Sequence, residues 1–370
     1  MANARTLLPL LTLTLAIVLP LTGRAEKLKT ENVFLIMCDG LRWQEVFGGA
    51  DEQLLNATHG GVKDANQLRS GAWRDTAEER RAILLPFFWN EIAQRGQLFG
   101  NTNKGSIAQL TNGKKFSYPG YNEVITGVGD PRIDSNDKNP NPNVSVFEWL
   151  NQKPRFAKRT AVFGNWDVFA YIFNCERSGL PIWPVWESKF GKYKTKVAPE
   201  IEDVFENTTT PWMGGTMDSF ISRAAHDYVK QKQPRLLFVG FGETDEWAHE
   251  RRYDNYLSAA HNMDSSVRRL WDTVQSMSQY RNKTTFIITC DHGRGSNERN
   301  WTDHGRSVTG AENIWLAVLG PDTAALGERV QNEPIAQNQI AATLATFLGQ
   351  DFHAAFPNSG APIRDVLPRR

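Results

Sequence analysis

The stretch ENVFLIMCDG, residues 31–40, is an apolar run that ends in an acidic residue and a glycine. Two later stretches repeat this pattern, RLLFVGFGETD at residues 235–245 and TTFIITCDHG at residues 284–293. Continuous apolar runs of this length are typical of strands that are buried on both faces of a parallel sheet. We therefore predict that all three runs are strands of one such sheet.

Helical patterns separate these runs. Two further strands are predicted at 160–164 and 313–320, and amphipathic helices at 217–230, 253–277 and 339–348. Alternation of strands and helices predicts an α/β fold with a doubly wound, mostly parallel sheet flanked by helices. Such sheets bind ligands at the carboxyl ends of their strands, where the acidic residues of the three runs lie.

Length and composition fit one large domain. The chain has 370 residues, with 42 Lys and Arg against 41 Asp and Glu, so its formal net charge is +1. This balance gives no overall field that would attract nucleic acid or a membrane surface. An anionic substrate would have to be attracted locally, and a bound metal ion is the strongest local charge available. We predict a single catalytic domain over residues 26–370.

The first 25 residues have the pattern of a signal peptide. Arg5 supplies a positive charge, residues 7–21 form an apolar run, and Gly23-Arg24-Ala25 offers a small-residue cleavage site. The alternative is an uncleaved membrane anchor, although the run is short and Pro20 interrupts it. No other stretch is long and apolar enough to cross a bilayer. We therefore expect a periplasmic or secreted mature protein without a stable membrane span.

Two segments are predicted to be irregular. Residues 130–143 are rich in Asp, Asn and Pro and should form a loop. Residues 175–215 contain several tryptophans among Pro, Gly and Lys, and we interpret them as an aromatic-rich insertion. This insertion either covers the functional site or only packs on the domain. Cys38 and Cys290 are expected in the core, and the sequence does not decide the role of Cys175.

Four short motifs contain most of the candidate chemistry: residues 38–40, 115–127, 243–249 and 290–305. Carboxylates and imidazoles are ligands for zinc and similar divalent ions. Asp245 and His249 are four residues apart, so one helical turn would place both on one face. Asp291 and His292 are adjacent at a strand end, and His304 follows in a second Asp-His pair. The clustering of these residues predicts a metal site.

In this order, from Asp39 to His304, the motifs resemble the alkaline phosphatase superfamily, chiefly its phosphomonoesterase and nucleotide pyrophosphatase/phosphodiesterase branches. The resemblance implies two divalent metal ions. One would be held by Asp245, His249 and His304, and the other by Asp39, Asp291 and His292. A mixed Asp/His set suits zinc better than magnesium, with manganese or magnesium as alternatives.

The resemblance places the nucleophile at Ser117, which would also contact the second metal. Serine is a weak nucleophile at neutral pH unless a base or a metal activates it. A helix predicted at 120–126 would add backbone N–H groups that favour an anion. The alternative is that Ser117 only caps this helix.

Two departures from the family patterns argue against assigning the chain to the sulfatases or to the phosphodiesterases. Sulfatases of the superfamily have Cys or Ser followed by x-Pro-x-Arg, which is read for conversion to formylglycine, but Tyr121 stands at the Arg position here. Phosphodiesterase relatives usually have Thr followed by Phe-Pro-Asn-His, unlike the SYPGY of residues 117–121.

The resemblance also implies substrate-side residues in the loop after the strand at 160–164, because relatives place polar residues there. Asn165 could bind a phosphate oxygen and Trp166 could form a wall, or both could serve only the loop. Asn136, Asn139 and Asn141 lie where relatives keep a phosphate-binding Asn, and the sequence does not choose among them.

We therefore predict a two-metal phosphoric ester hydrolase that acts through a Ser117 phosphoryl-enzyme intermediate on a small phosphorylated substrate, with no nucleic acid partner. The alternatives are a phosphodiesterase or nucleotide pyrophosphatase, and after these a sulfatase, a phosphotransferase or a catalytically silent metal-binding relative.

Overall fold

The computed structural model describes residues 27–368. The predicted signal peptide, residues 1–25, lies outside this range. Within it the strands are β1 (Asn32–Cys38), β2 (Gln97–Phe99), β3 (Ala108–Gln109), β4 (Thr160–Gly164), β5 (Ile182–Trp183), β6 (Leu236–Phe241), β7 (Thr284–Thr289), β8 (Leu316–Leu319), β9 (Gly327–Glu328) and β10 (Ile335–Ala336).

Eight of these strands form one sheet in the order β5-β4-β6-β1-β7-β8-β2-β9, and β3 pairs with β10 separately. The four strands β4, β6, β1 and β7 are parallel and adjacent, while β8 runs antiparallel to both β7 and β2. The residues of β1, β6 and β7 are buried along the whole length of each strand, as the apolar runs predict. The mostly parallel, doubly wound sheet is confirmed.

The α-helices are α1 (Trp43–Gly48), α2 (Ala57–Gly60), α3 (Ala65–Ala72), α4 (Ala77–Leu84), α5 (Ala93–Arg95), α6 (Ser117–Thr126), α7 (Val146–Asn151), α8 (Phe169–Ile172), α9 (Cys175–Ser178), α10 (Pro199–Glu206), α11 (Asp218–Lys232), α12 (Glu243–His249), α13 (Tyr253–Ser276), α14 (Ile340–Phe347) and α15 (Phe352–Ala355). Short 3₁₀ segments lie at Glu52–Leu54, Thr102–Lys104, Ser188–Tyr193, Gln337–Gln339 and Arg364–Val366, and a π-helical turn at Phe88–Ile92.

The helices pack in two groups around the sheet. Helix α13 contacts α4, α11 and α12, and α6, α7, α8 and α14 form a second contacting set. The predicted helices at 217–230, 253–277 and 339–348 correspond to α11, α13 and α14. None of the helices among residues 27–368 has the length and apolar character that crossing a membrane requires.

The structure corrects three local expectations. The strand predicted at 313–320 is shorter and antiparallel to β7. Helix α6 begins at Ser117 and Phe116 occupies its N-cap position, so Ser117 is not the cap. The aromatic-rich segment 175–215 is more regular than predicted, because it contains α9, α10 and the edge strand β5. The loop at 130–143 and the burial of Cys38 and Cys290 are confirmed, and Cys175 is buried as well.

Helix α6 packs directly on the end of β7 through a glycine. A Cβ atom at Gly120 would lie 2.3 Å from the carbonyl oxygen of Asp291. Any larger residue at this position must therefore push the helix away from the strand end. This close approach fixes the distance between Ser117, at the start of α6, and the residues that follow β7.

We predict that Gly120→Ala lowers the free energy of unfolding by about 1–3 kcal/mol, because the added methyl group overpacks the contact with Asp291. The matched control is Gly71→Ala in α3, where a Cβ would meet nothing within 4 Å. This control should raise stability by roughly 0.5–1 kcal/mol, the difference in helix propensity between glycine and alanine. Urea unfolding of both variants measures the effects. Equal stability changes would contradict the close packing at Gly120.

Candidate metal centre and active site

The six candidate metal ligands meet at the carboxyl ends of three adjacent strands. Asp39 directly follows β1, and Asp291 and His292 follow β7 within three residues. Asp245 and His249 lie on α12, which begins two residues after β6. Because β1 lies between β6 and β7, the parallel order of the sheet brings these three chain segments together. His304 reaches the same place from the loop between β7 and β8.

The first cluster contains Asp39, Asp291 and His292. The Nε2 atom of His292 lies 3.3 Å from Oδ1 of Asp39 and 3.4 Å from Oδ2 of Asp291. These two carboxylate oxygens are buried and have no hydrogen-bond partner within the described part of the chain. Buried carboxylate oxygens are normally satisfied, so two unpaired oxygens beside an imidazole nitrogen fit the binding of a cation.

The opposite side of each of these three groups is held in place. Tyr121 donates its hydroxyl hydrogen to Oδ2 of Asp39 over 3.0 Å, and the backbone N–H of Gly40 donates to Oδ1 of Asp291 over 3.1 Å. The Nδ1 atom of His292 lies 2.9 Å from the carbonyl oxygen of Gly293 and must therefore carry a proton. Each group thus directs one remaining donor atom inward, as ligands of a divalent ion do.

The charges of this cluster also fit a cation. Burial raises the pKa of Asp39 well above its usual range, and the charge of Asp245 adds to this effect. Burial likewise raises the pKa of Asp291, with a further contribution from Asp39. Two adjacent buried carboxylates are unfavourable as anions unless positive charge lies between them. The residues present therefore fit a bound divalent metal ion.

The second cluster contains Asp245, His249 and His304. The Nε2 atom of His249 lies 3.0 Å from both Oδ2 of Asp245 and Nε2 of His304, so the predicted helical turn places both α12 residues on one face. His304 directs its Nδ1 to the carbonyl oxygen of Lys115 at 3.3 Å. Burial, together with the charge of His292, lowers the pKa of His304 to about 2, so its ring is neutral and can bind a metal.

The two clusters adjoin each other. The rings of His292 and His304 stack with their centroids 4.1 Å apart. Donor atoms of Asp245, His292 and His304 lie within 4.8 Å of one another, as do those of Asp39, Asp291 and His292. His249 is the most open member, because its side chain is 48% exposed. Two ions held in these clusters would therefore be neighbours, with His249 on the solvent side.

Ser117 lies beside the first cluster. It is the first residue of α6, and its Oγ atom lies 3.4 Å from Nε2 of His292. Of the three candidate asparagines, Asn136 is the one whose side chain reaches this helix start, where its Oδ1 accepts from the Tyr118 N–H over 3.0 Å. Asn141 is instead fully buried against Asn122, and Asn139 is engaged through its backbone carbonyl.

Asn165 and Trp166 lie in the loop that follows β4. Asn165 is buried, and its side chain packs against Gly242 at the end of β6. Trp166 forms an isolated bridge with Gly215 of the aromatic-rich segment. Neither side chain hydrogen-bonds to Ser117 or to the six candidate ligands within residues 27–368. Their predicted contact with substrate remains a proposal.

One part of the site was absent from the sequence predictions. Arg294 is buried, and its Nη2 atom pairs with Oδ1 of Asp245. The signal available in the sequence was its position, two residues after His292. Burial raises the pKa of Asp245, but the charges of Arg294 and His249 outweigh burial and hold this pKa well below its ordinary value.

Comparison with known proteins places this chain in the alkaline phosphatase superfamily, which includes phosphatases, phosphonate hydrolases and sulfatases. A family model described as Sulfatase matches residues 86–350. The chain belongs to this sulfatase family. No curated protein sequence matches the chain.

Solved structures show the same fold at low sequence identity. The alkaline phosphatase PafA superposes with a TM-score of 0.61 at 10% identity, covering 92% of this chain and 99% of that chain. A phosphonate monoester hydrolase from Silicibacter pomeroyi gives 0.56 at 12% identity, covering 91% and 76%. The 2-O GAG sulfatase BT1596 also gives 0.56 at 12% identity, covering 91% and 74%.

We predict that Tyr121→Phe weakens metal binding by about 10–100-fold, because residues that hold a ligand by hydrogen bonding contribute this much to affinity. The variant loses only the hydroxyl that holds Oδ2 of Asp39. Zinc retained after dialysis against a series of chelator concentrations measures the change. The control is Tyr228→Phe, on α11 and away from the clusters. Unchanged zinc retention in Tyr121→Phe would exclude Asp39 as a ligand.

Proposed function

We propose that the protein hydrolyses phosphoric monoesters and that Ser117 is the nucleophile. The observation that carries this proposal is the position of the Ser117 hydroxyl, at the start of α6 and 3.4 Å from His292 Nε2. A nucleophile at this place lies beside the first cluster, whose His292 ring stacks on His304 of the second. We also propose that two divalent ions, with zinc as the best match to the Asp/His set, are the cofactors.

The reaction would follow the general scheme of phosphoryl transfer. The Ser117 oxygen forms a bond to phosphorus while the bond from phosphorus to the alcohol oxygen breaks, and the alcohol leaves after taking up a proton. Water then attacks the phosphoserine, restoring Ser117 and releasing inorganic phosphate. Divalent ions bound beside the clusters would supply positive charge that lowers the pKa of a nearby hydroxyl and stabilises the in-line displacement.

The chain's own residues would hold the nucleophile and the phosphoryl group. Ser117 is almost fully buried, so its hydroxyl has a fixed environment before substrate binds. Within the first turn of α6, the Tyr118 N–H is engaged by Asn136 and Pro119 has no N–H, which leaves the N–H of Ser117 for an anion. We propose that Asn136, anchored through its Oδ1, uses its Nδ2 to donate to a phosphoryl oxygen.

Sulfate ester hydrolysis is the second candidate. The family match and the similarity to a GAG sulfatase favour it. Against it, Tyr121 stands where sulfatases have the Arg of the conversion motif, and its hydroxyl is bonded to Asp39. We prefer the phosphatase because Ser117 can act as a nucleophile without modification. A phosphodiester or a phosphonate monoester would use the same nucleophile. Each differs from a monoester in the group that stays on the transferred phosphorus, so the part of the pocket around that group distinguishes them.

The site of action follows from the N-terminal pattern. We propose that residues 1–25 direct export and are removed, so that the enzyme works in the periplasm or outside the cell. Its substrate would then be a small phosphorylated molecule that is present outside the cytoplasm. The near-zero net charge of the chain supports a small substrate rather than a polyanion.

We predict that Ser117→Ala keeps the fold and the metals but loses most of the turnover rate, because the covalent route is removed. Ser117→Thr should keep part of the rate, since it retains a hydroxyl. Acid quenching during turnover, followed by mass spectrometry, should find phosphate on the peptide that contains Ser117. The control is Ser106→Ala, a nearby serine that is buried against Gly100. Near-normal activity of Ser117→Ala would show that Ser117 is not the nucleophile.

We predict that the zinc-loaded enzyme hydrolyses p-nitrophenyl phosphate faster than the corresponding diester, phosphonate ester or sulfate. These esters share one leaving group, so the comparison isolates the transferred group. The measured quantity is kcat/KM for each ester. A faster sulfate reaction would establish the second candidate. No turnover of any ester with zinc, manganese or magnesium would instead support a silent metal-binding relative.

Residues 212–215 support a role for the aromatic-rich segment beside the site. Trp212 packs edge-on against Trp247 of α12 with ring centroids 4.9 Å apart, and Gly215 pairs with Trp166. This short stretch therefore joins the helix that carries two candidate ligands to the loop after β4. The earlier part of the segment, with Trp183 and Phe190 buried, packs on the domain instead.

We predict that Trp166→Ala changes the relative kcat/KM among esters with different alcohols more than it changes zinc content, because Trp166 would contact the leaving group. The control is Trp186→Ala, which lies in the same aromatic-rich segment but packs against Phe205. Identical substrate profiles for the two variants and the unmodified enzyme would exclude leaving-group selection by Trp166.

A further inference from the structure

Arg294 connects the chain segments that carry the candidate ligands. Its guanidinium donates to the carbonyl oxygens of Gly40 and Asp245 over 3.1 Å each, and also to the carbonyl of Thr302. Gly40 follows Asp39, and Thr302 precedes His304 by two residues. Arginine suits this role because its planar fork offers five N–H donors in fixed directions.

The same guanidinium pairs directly with a carboxylate of one cluster, the second. Its Nη2 atom pairs with Oδ1 of Asp245, so this carboxylate already has a buried positive partner. The side chain of Arg294 is fully buried, which keeps the pair from being screened by solvent. Asp39 and Asp291 have no such partner, since their inward oxygens, Oδ1 and Oδ2, are unpaired within the described range.

The two clusters should therefore attract a cation unequally. The first cluster offers two carboxylates and one imidazole, with no fixed cation paired to either carboxylate. The second cluster offers one carboxylate and two imidazoles, and its only negative charge is already paired with Arg294. A positive charge a few ångströms from a metal ion also repels that ion directly, and in a buried site the effect is strong.

We propose that Arg294 makes the two metal positions unequal, so that the Asp39–Asp291–His292 position binds its ion more tightly and fills first. The Asp245–His249–His304 position then fills only at higher metal concentration. This inference rests on the proposed two-metal function. It makes Arg294 a positioning residue that sets how much metal the enzyme needs, and the activity should follow the filling of the weaker position.

Zinc titration of the metal-free protein by isothermal titration calorimetry tests the proposal, with bound zinc counted by elemental analysis. The unmodified protein should bind two zinc ions in separate steps whose affinities differ by about tenfold or more. Asp291→Asn should remove the tight step and Asp245→Asn the weak step. These three titrations do not depend on any change at Arg294.

Arg294→Met removes the charge and should bring the two affinities together by strengthening the weak step. Arg294→Lys keeps the charge and should keep the two steps apart. The matched control is Arg81→Met, a buried arginine that pairs with Glu328, the carboxylate that Lys104 also contacts. This control should leave both steps unchanged.

Two zinc ions bound with equal affinity in the unmodified protein would overturn the inference and leave the proposed function intact. Equal weakening of both steps by Arg294→Met would also overturn it, because that result shows a purely structural role. Binding of one zinc ion or none would instead contradict the two-metal function itself. If Arg294→Met does not fold, the titrations of the unmodified protein and of the two Asp variants decide the question.

Discussion

Three aspartates at the ends of adjacent parallel strands, Asp39 and Asp291 buried and Asp245 partly exposed, are the constraint on which the rest of this structure depends. Asp39 follows β1, Asp291 follows β7, and Asp245 lies just beyond β6. One of the three is paired with a buried arginine, whereas the other two turn unpaired oxygens toward the same imidazole. Like charges this close are unfavourable in a buried site unless cations neutralise them. The fold therefore brings negative charges close together, and two divalent ions would neutralise them.

The surrounding residues orient the side chains of the candidate ligands. Tyr121 holds Asp39, and Gly120 lets α6 approach the chain at Asp291, so one helix supports both the nucleophile and the first cluster. A second line of support begins at Glu123 on the same helix. Its carboxylate accepts hydrogen bonds from Thr111 and Asn112, which precede the Lys115 carbonyl that orients His304. Helix α6 therefore supports residues of both clusters. Hydrogen bonds that hold metal ligands in position contribute strongly to metal affinity in other proteins.

The sequence predicts the centre of this molecule better than its edges. The apolar runs of β1, β6 and β7 are long enough to be recognised, and the spacing of Asp245 and His249 places both on one helical face. The two-residue strand Ile182–Trp183 has no periodicity that a pattern could detect, and it exists only because β4 is beside it. Arg294 was missed for a related reason. A buried arginine is recognisable only from the carbonyl groups around it, and these come from segments distant in sequence. The choice of Asn136 among three asparagines likewise depends on the path of the loop.

We propose that both clusters bind divalent ions and that Ser117 lies beside them. Crystals grown with zinc and an unreactive phosphate analogue, measured at the zinc absorption edge, test this proposal most directly. We predict two anomalous peaks, one beside Asp39, Asp291 and His292 and the other beside Asp245, His249 and His304. We also predict that the phosphate analogue lies between these peaks and the Ser117 hydroxyl. A single peak, peaks bound by other residues, or an analogue bound away from Ser117 would contradict the proposal.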